Sequence, residues 1–255
     1  MAQIITVVNQ KGGVSKTTTA VNLSAALSEL GKFVLLVDLD PQANATTGVG
    51  LDYRQLPAGL YEVLGGQTNV RSIIQPTAHD GFKIAPATIS LAGAAVELVN
   101  LDQREFRLRD ALAEVNNDYD IIIIDCPPSL GLLTINGLVA GQNVMVPVQA
   151  EYYALEGLGQ LMNTINLIKQ NLKPELNILG AVLTMYDRRN KLSNDVLYEL
   201  YRYFPDRIFR SVIPRSVRLA EAPSYGQTIF SFDSKSKPAR AYSKLAREVI
   251  ESLSL

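Results

Sequence analysis

The chain has one cysteine, one histidine and no tryptophan among its 255 residues. A single thiol, Cys126, excludes an internal disulfide framework and any metal site or cluster built on several cysteines. It is compatible with a reducing, cytoplasmic compartment. No uninterrupted apolar run approaches the roughly 18 residues that a membrane-spanning helix needs. The start, "MAQIITVV", carries no basic region ahead of a long apolar one, so no signal peptide is expected. The net charge of −1 sets no overall bias toward nucleic acid or membrane. Internal repeats and low-complexity linkers are also missing.

What is present is apolar and ordered. Hydrophobic residues make up 47% of the chain, enough for one large core. No strong boundary appears, so residues 1–255 are expected to form a single domain. Charge is unevenly placed. Residues 185–255 hold 13 Lys and Arg against 8 Asp and Glu, while residues 1–184 hold 11 against 17. A basic C-terminal third on a near-neutral chain can present a local positive face.

Short apolar runs rich in β-branched residues recur: "IITVV" (4–8), "FVLLVD" (33–38), "IIIID" (121–125), "VMVPV" (144–148) and "ILGAVLTM" (178–185). Runs apolar on both faces read as strands of a parallel sheet covered on both sides. Helical patterns alternate with them at 16–30, about 88–115, 131–139, 153–171 and 192–203, and a last one follows Pro238. This alternation predicts an α/β fold with a doubly wound, mostly parallel sheet. Residues 50–87 read as loops and short elements over one edge. Ligands of such sheets bind beyond the carboxyl ends of the strands. Three of those ends carry "NQKGGVSKTTT", "DLDPQAN" and "DCPPS".

The first of these contains K-G-G-x-x-K-[ST], as Lys11, Gly12, Gly13, Val14, Ser15, Lys16 and Thr17. Gly12 and Gly13 let backbone approach phosphate oxygens. Successive N–H groups at a helix N-terminus form an anion-binding concavity. Lys16 supplies a point charge for the β- and γ-phosphates, and the Thr17 hydroxyl suits a magnesium ligand. Thr18 belongs to the first helical turn and joins the expected ATP contacts. Ser15 stands where such loops favour glycine. A positive φ there would cost about 1–2 kcal/mol, offset in part if its hydroxyl bonds locally.

"KGGVSKTTTAVNLSAAL", "VLLVDLDPQANAT", "YDIIIIDCPPSLG" and "IPRSVRLAEAPSYGQTI" together resemble the ParA/Soj family of chromosome- and plasmid-partitioning ATPases, from Ile4 to about Arg247. The resemblance implies a P-loop fold of the deviant Walker A type, using ATP and Mg²⁺. It implies that Lys11 reaches the partner's nucleotide in an ATP-bound homodimer. It further implies that Asp40 positions or activates the attacking water, that Asp38 supports the magnesium shell, and that Asp125 is the Walker B carboxylate. The following "CPPS" would sense the γ-phosphate. For the base, the expected lining is backbone near Pro214 with the side chain of Met185 or of Asp187. Non-specific binding of double-stranded DNA falls to Arg189 and Arg218, with Arg188, Lys191 and Arg215 as neighbours. A ParB-type protein would stimulate turnover, and the protein would associate with the nucleoid.

Cys126 reads as a small buried residue, and His79, in "PTAHDG", as a surface-loop residue with no role. Three rivals remain. A membrane-associated division-site ATPase needs a basic amphipathic C-terminal helix, and "AREVIESLSL" has no strongly basic face. An iron–sulfur ATPase needs more cysteine. An ATP-binding DNA scaffold with little turnover stays open because of Ser15.

Overall fold

The computed structural model describes residues 1–151, 157–187 and 189–255. Seven strands form one sheet: β1 (Gln3–Val7), β2 (Val34–Asp38), β3 (Gln75–Pro76), β4 (Phe82–Ala85), β5 (Ile121–Asp125), β6 (Asn143–Gln149) and β7 (Asn177–Thr184). Their order is β3-β4-β2-β5-β1-β6-β7, and every pairing is parallel except β3 with β4. The expected strands are all found within a residue or two.

Side-chain alternation along the strands divides the core in two. Ile4, Leu35, Val37, Ile122 and Ile124 point to one face; Ile5, Val7, Leu36, Ile121 and Ile123 point to the other. In β5 all four isoleucines are fully buried, each contributing on the order of 1.5–3 kcal/mol. Helices α1 (Lys16–Glu29) and α12 (Lys237–Leu253) pack together over the second face. Ser236 caps α12 by accepting from the Ala239 N–H, and Pro238 fits its first turn, where no backbone donor is needed. The first face is covered by α3 (Leu60–Leu64), α5 (Leu91–Glu97), α6 (Arg107–Ala113), α7 (Leu132–Ala140), α8 (Leu158–Asn171) and α9 (Lys191–Tyr203).

Two expectations are corrected. The helix anticipated over about 88–115 is two helices, α5 and α6, separated by a 3₁₀ turn and a loop in which Gln103 is left-handed. The buried Asn136 of α7 holds the break open. Its amide donates to the Arg104 carbonyl (2.7 Å) and its oxygen accepts from the Leu108 N–H (3.1 Å). Residues 50–87 contain α3, α4 (Val70–Ile73) and the hairpin β3–β4, and β4 is a full parallel neighbour of β2. Its four residues, broken by exposed Lys83, carry too little periodicity to declare a strand.

Candidate active site

The loop from Asn9 to Lys16 joins β1 to α1 at the carboxyl edge of the sheet. Buried Asn9 sets its entry: the side-chain amide donates to the Pro147 carbonyl (2.8 Å), and its oxygen accepts from the Lys11 N–H (3.0 Å). At the other end Val14 is fully buried, and its carbonyl accepts from the Thr184 hydroxyl of β7 (3.0 Å). The loop therefore hangs from both central strands. Gly13 is left-handed (φ 75°), and a Cβ at Gly12 or Gly13 would meet no protein atom within 4 Å. These glycines keep open a space that the protein itself does not fill.

Ser15 has φ 67° and ψ 33°, and its side chain makes no capping hydrogen bond. The expected left-handed backbone is found without the local bond that would offset its cost. Lys16 is largely buried, and its ammonium donates to the Lys11 carbonyl (2.9 Å). Burial lowers its pKa, opposed by the carboxylates of Asp125 and Asp40.

Asp38 and Asp125 are cross-strand partners at the ends of β2 and β5. They differ in what holds them. One Asp38 oxygen accepts from both the N–H and the hydroxyl of Thr46 (2.8 and 2.7 Å), and the other from the Asp40 N–H (3.3 Å). Burial nonetheless raises its pKa to about 6, with the Thr46 bonds opposing. Both oxygens of Asp125 are buried without a hydrogen-bond partner. Its pKa is pushed well up, first by burial and then by Asp38, with the adjacent Thr17 hydroxyl and Lys16 opposing. Two orphaned carboxylate oxygens in a fully buried position call for a cation. Mg²⁺ keeps several waters and takes one or two carboxylates, so Asp125 with the Thr17 hydroxyl fits it. Asp40 lies nearby, one oxygen accepting from the Gln42 N–H (3.0 Å).

These groups border a cleft of about 590 Å³, walled by Gly12 to Thr18, Asp40, Gln42, Asn44 to Gly48, Pro128, Met185 and the segment Pro223–Gln227. The far wall is closed by a backbone contact between Gly50 and Gly226, both left-handed, where a Cβ on Gly226 would lie 2.6 Å from the Gly50 Cα. Met185 borders this cleft, itself left-handed (φ 52°), whereas Asp187 and Pro214 line a separate, basic cleft next to it. The bridge between Tyr186 and Pro214 forms the divide. Cys126 is fully buried, and burial pushes its thiol pKa up, as expected of an inert residue.

The two arginines are not free. Arg189 forms a two-point pair with Asp187 (3.0 and 2.8 Å), which holds the Asp187 pKa down to about 2. Arg218 lies over the Phe232 ring (4.8 Å) and pairs with Asp233 (3.4 Å) and Glu221 (3.7 Å). Arg215 pairs with Glu151 (2.9 Å). Arg188 and the Lys191 side chain lie outside the described residues. His79 is not the exposed loop residue expected. Its side chain is mostly buried, 2.7 Å from the Thr228 hydroxyl and 3.6 Å from the Glu29 carboxylate.

Sequence reasoning missed Asn9, Thr46 and Gln227. Asn9 directly precedes the quoted loop, and Thr46 lies in "DLDPQANAT", so both were within reach of the motifs. Gln227 carried no signal.

A phosphate-type loop between the first strand and first helix, with two carboxylates at adjoining strand ends, defines a P-loop ATPase of the doubly wound kind. Residues 2–178 match the family described as an AAA domain. The chain is 52% identical over 249 residues to the sporulation initiation inhibitor protein Soj of Bacillus subtilis, covering 98% of each. It is 49% identical over 251 residues to the chromosome partitioning protein ParA of Myxococcus xanthus, covering 98% of this chain and 89% of that one. Its fold is similar to a crystal structure of cobyrinic acid a,c-diamide synthase from Mycobacterium smegmatis with bound ADP and magnesium (TM-score 0.89, 40% identity, 100% of this chain and 96% of that one). The chain belongs to the ParA/Soj family of partitioning ATPases, and its activity is ATP hydrolysis.

Proposed function

We propose that this ATPase dimerises on ATP, binds double-stranded DNA without sequence preference in that state, and leaves DNA when hydrolysis, stimulated by a ParB-type partner, splits the dimer. The observation that carries the site assignment is the orphaned, buried Asp125 beside a lysine whose ammonium has only a backbone carbonyl to hold. Both groups have capacity that the protein leaves unused.

In this reading the N–H groups of the 11–17 loop and the Lys16 ammonium take the β- and γ-phosphates. Thr17 and Asp125 hold Mg²⁺, whose bound charge offsets the developing charge on the phosphates. Asp38, engaged by Thr46, anchors the start of α2 (Asn44–Gly48) and supports that shell from behind. Asp40 accepts a hydrogen bond from the attacking water and aims it at the γ-phosphorus. Water adds as the bond to ADP breaks, giving ADP and phosphate. Lys11 is half-exposed at the loop's start and pairs with no carboxylate among the described residues, which suits a group meant for a second protomer's nucleotide. Met185 flanks the base, with Pro214 backbone behind the divide. Arg189 and Arg218 exchange their exposed carboxylate partners for DNA phosphates, at small cost because surface pairs are worth only about 0–1 kcal/mol.

Asp40→Ala tests the scheme. It should bind ATP and accumulate a DNA-bound dimer on size exclusion while turnover falls by about 100-fold or more. Hydrolysis at the parent rate would remove Asp40 from its role.

A further inference from the structure

We propose that the cleft between α12 and the 210–215 segment is a seat for the phosphate backbone of a nucleic-acid duplex, extending the surface well beyond Arg189 and Arg218. The inference rests on the DNA-binding reading above and names the further residues that would carry it. Lys237, Arg240, Lys244 and Arg247 recur on α12 at intervals of three and four, so they share one helix face, and all four are exposed. They line a basic cleft of about 1220 Å³, with Arg210 on the opposite wall.

What distinguishes these five cations is that none has a carboxylate partner among the described residues. The acid beside them is spent: Glu248 accepts from the Arg210 and Ser211 N–H groups (2.8 and 2.9 Å) and from the Ser211 hydroxyl (2.5 Å). Glu251 stands only at the far end. Like charges at this spacing on a helix repel, so the stripe has no internal source of stabilisation. Arg189 and Arg218, by contrast, must give up ion pairs before they can hold a phosphate.

The dimensions suit a duplex. Ten residues of helix span about 15 Å. One DNA strand advances about 3.4 Å per nucleotide, so the stripe runs along about four nucleotide steps. A lipid surface is the other polyanion of this size. A helix that lies on a bilayer needs an exposed apolar face. Here Tyr242, Leu245, Ala246 and Val249 are fully buried against α1 and its neighbours, leaving only the cations outside.

The test is the double variant Arg240→Gln/Lys244→Gln in the full chain. Its binding to two unrelated duplexes is followed by fluorescence anisotropy with Mg·ATP at several salt concentrations. Each lost phosphate contact should make the log–log salt slope shallower by about 0.9, so a loss of about two units per engaged protomer is expected. The thermal midpoint should match the parent, and Arg202→Gln, on α9, should leave the slope alone. A double variant with the parent's slope, while Arg218→Ala still weakens binding, overturns the seat alone. A parent that binds no duplex in any nucleotide state overturns both the seat and the DNA reading. Binding to anionic phosphatidylglycerol vesicles that the double variant loses, with duplex binding kept, also overturns it.

Discussion

Ser15 carries a left-handed backbone with no compensating bond from its hydroxyl. Relief by glycine is worth about 1–2 kcal/mol, against about 0.5–1 kcal/mol of extra unfolded-state entropy. Ser15→Gly should therefore stabilise the nucleotide-free protein by about 0.5–1 kcal/mol in urea denaturation. An unchanged or lower midpoint would show that the loop accommodates serine without strain. Asp125 poses the opposite case, a group costly to the fold and useful to the site. Its folded pKa is raised by burial above the unfolded value, so its share of stability is present in acid and lost as pH rises. Asp125→Asn should stabilise the nucleotide-free protein at pH 8 by about 1–3 kcal/mol, with the gain shrinking toward pH 5. The same variant should lose Mg²⁺-dependent turnover. Equal melting of parent and variant at both pH values would mean that Asp125 is not an uncompensated charge.

At the scale of elements, the cleft depends on how α2 and the 3₁₀ turn at Ala222–Tyr225 meet. Asp38 ties α2 to the end of β2, and the Gly50–Gly226 contact ties the loop after α2 to the loop after the 3₁₀ turn. Gly226→Ala meets two penalties, a left-handed φ of 64° and a Cβ 2.6 Å from backbone that cannot turn away. We expect a loss of about 2–4 kcal/mol of stability, read by urea denaturation, with weaker ATP binding because Ser224 and Gln227 shift. Gly12 has no neighbour within 4 Å, so Gly12→Ala should fold normally and fail only toward nucleotide. If the two alanine variants lose the same stability, the contact is not what shapes the wall.

For the whole molecule, a ligand that binds the folded state alone adds stability by mass action. At 100 times its dissociation constant, Mg·ATP should add about 2.7 kcal/mol. For a chain of this size that is a rise in midpoint of about 5–10 °C. Lys16→Ala should abolish the rise in a thermal-shift titration, because the buried ammonium is the charge nearest the bound phosphates. A full shift in that variant would move the nucleotide elsewhere.

Much of this was readable without coordinates, because it rests on short-range pattern. Doubly buried strands announce themselves as unbroken β-branched runs, and "IIIID" became β5 residue for residue. The loop from Lys11 to Thr17 is local chemistry at fixed spacing, as is the placement of Asp38, Asp40 and Asp125 at strand ends. Tertiary structure alone decided what those groups have as partners. Asp38 is engaged by a threonine eight residues on, and Asp125 by nothing, although both end apolar strands. Asn136 splits a helix that its own sequence would continue. His79 packs against Thr228, 149 residues away. Met185 and Pro214 fall on opposite sides of a divide. The basic C-terminal third was visible as composition, yet only the packing of α12 on α1 sorted its cations into those that are paired and those that are free. Periodicity reports which side of an element is buried; hydrogen-bond and charge partners are set by long-range approach of backbone, which no local pattern encodes.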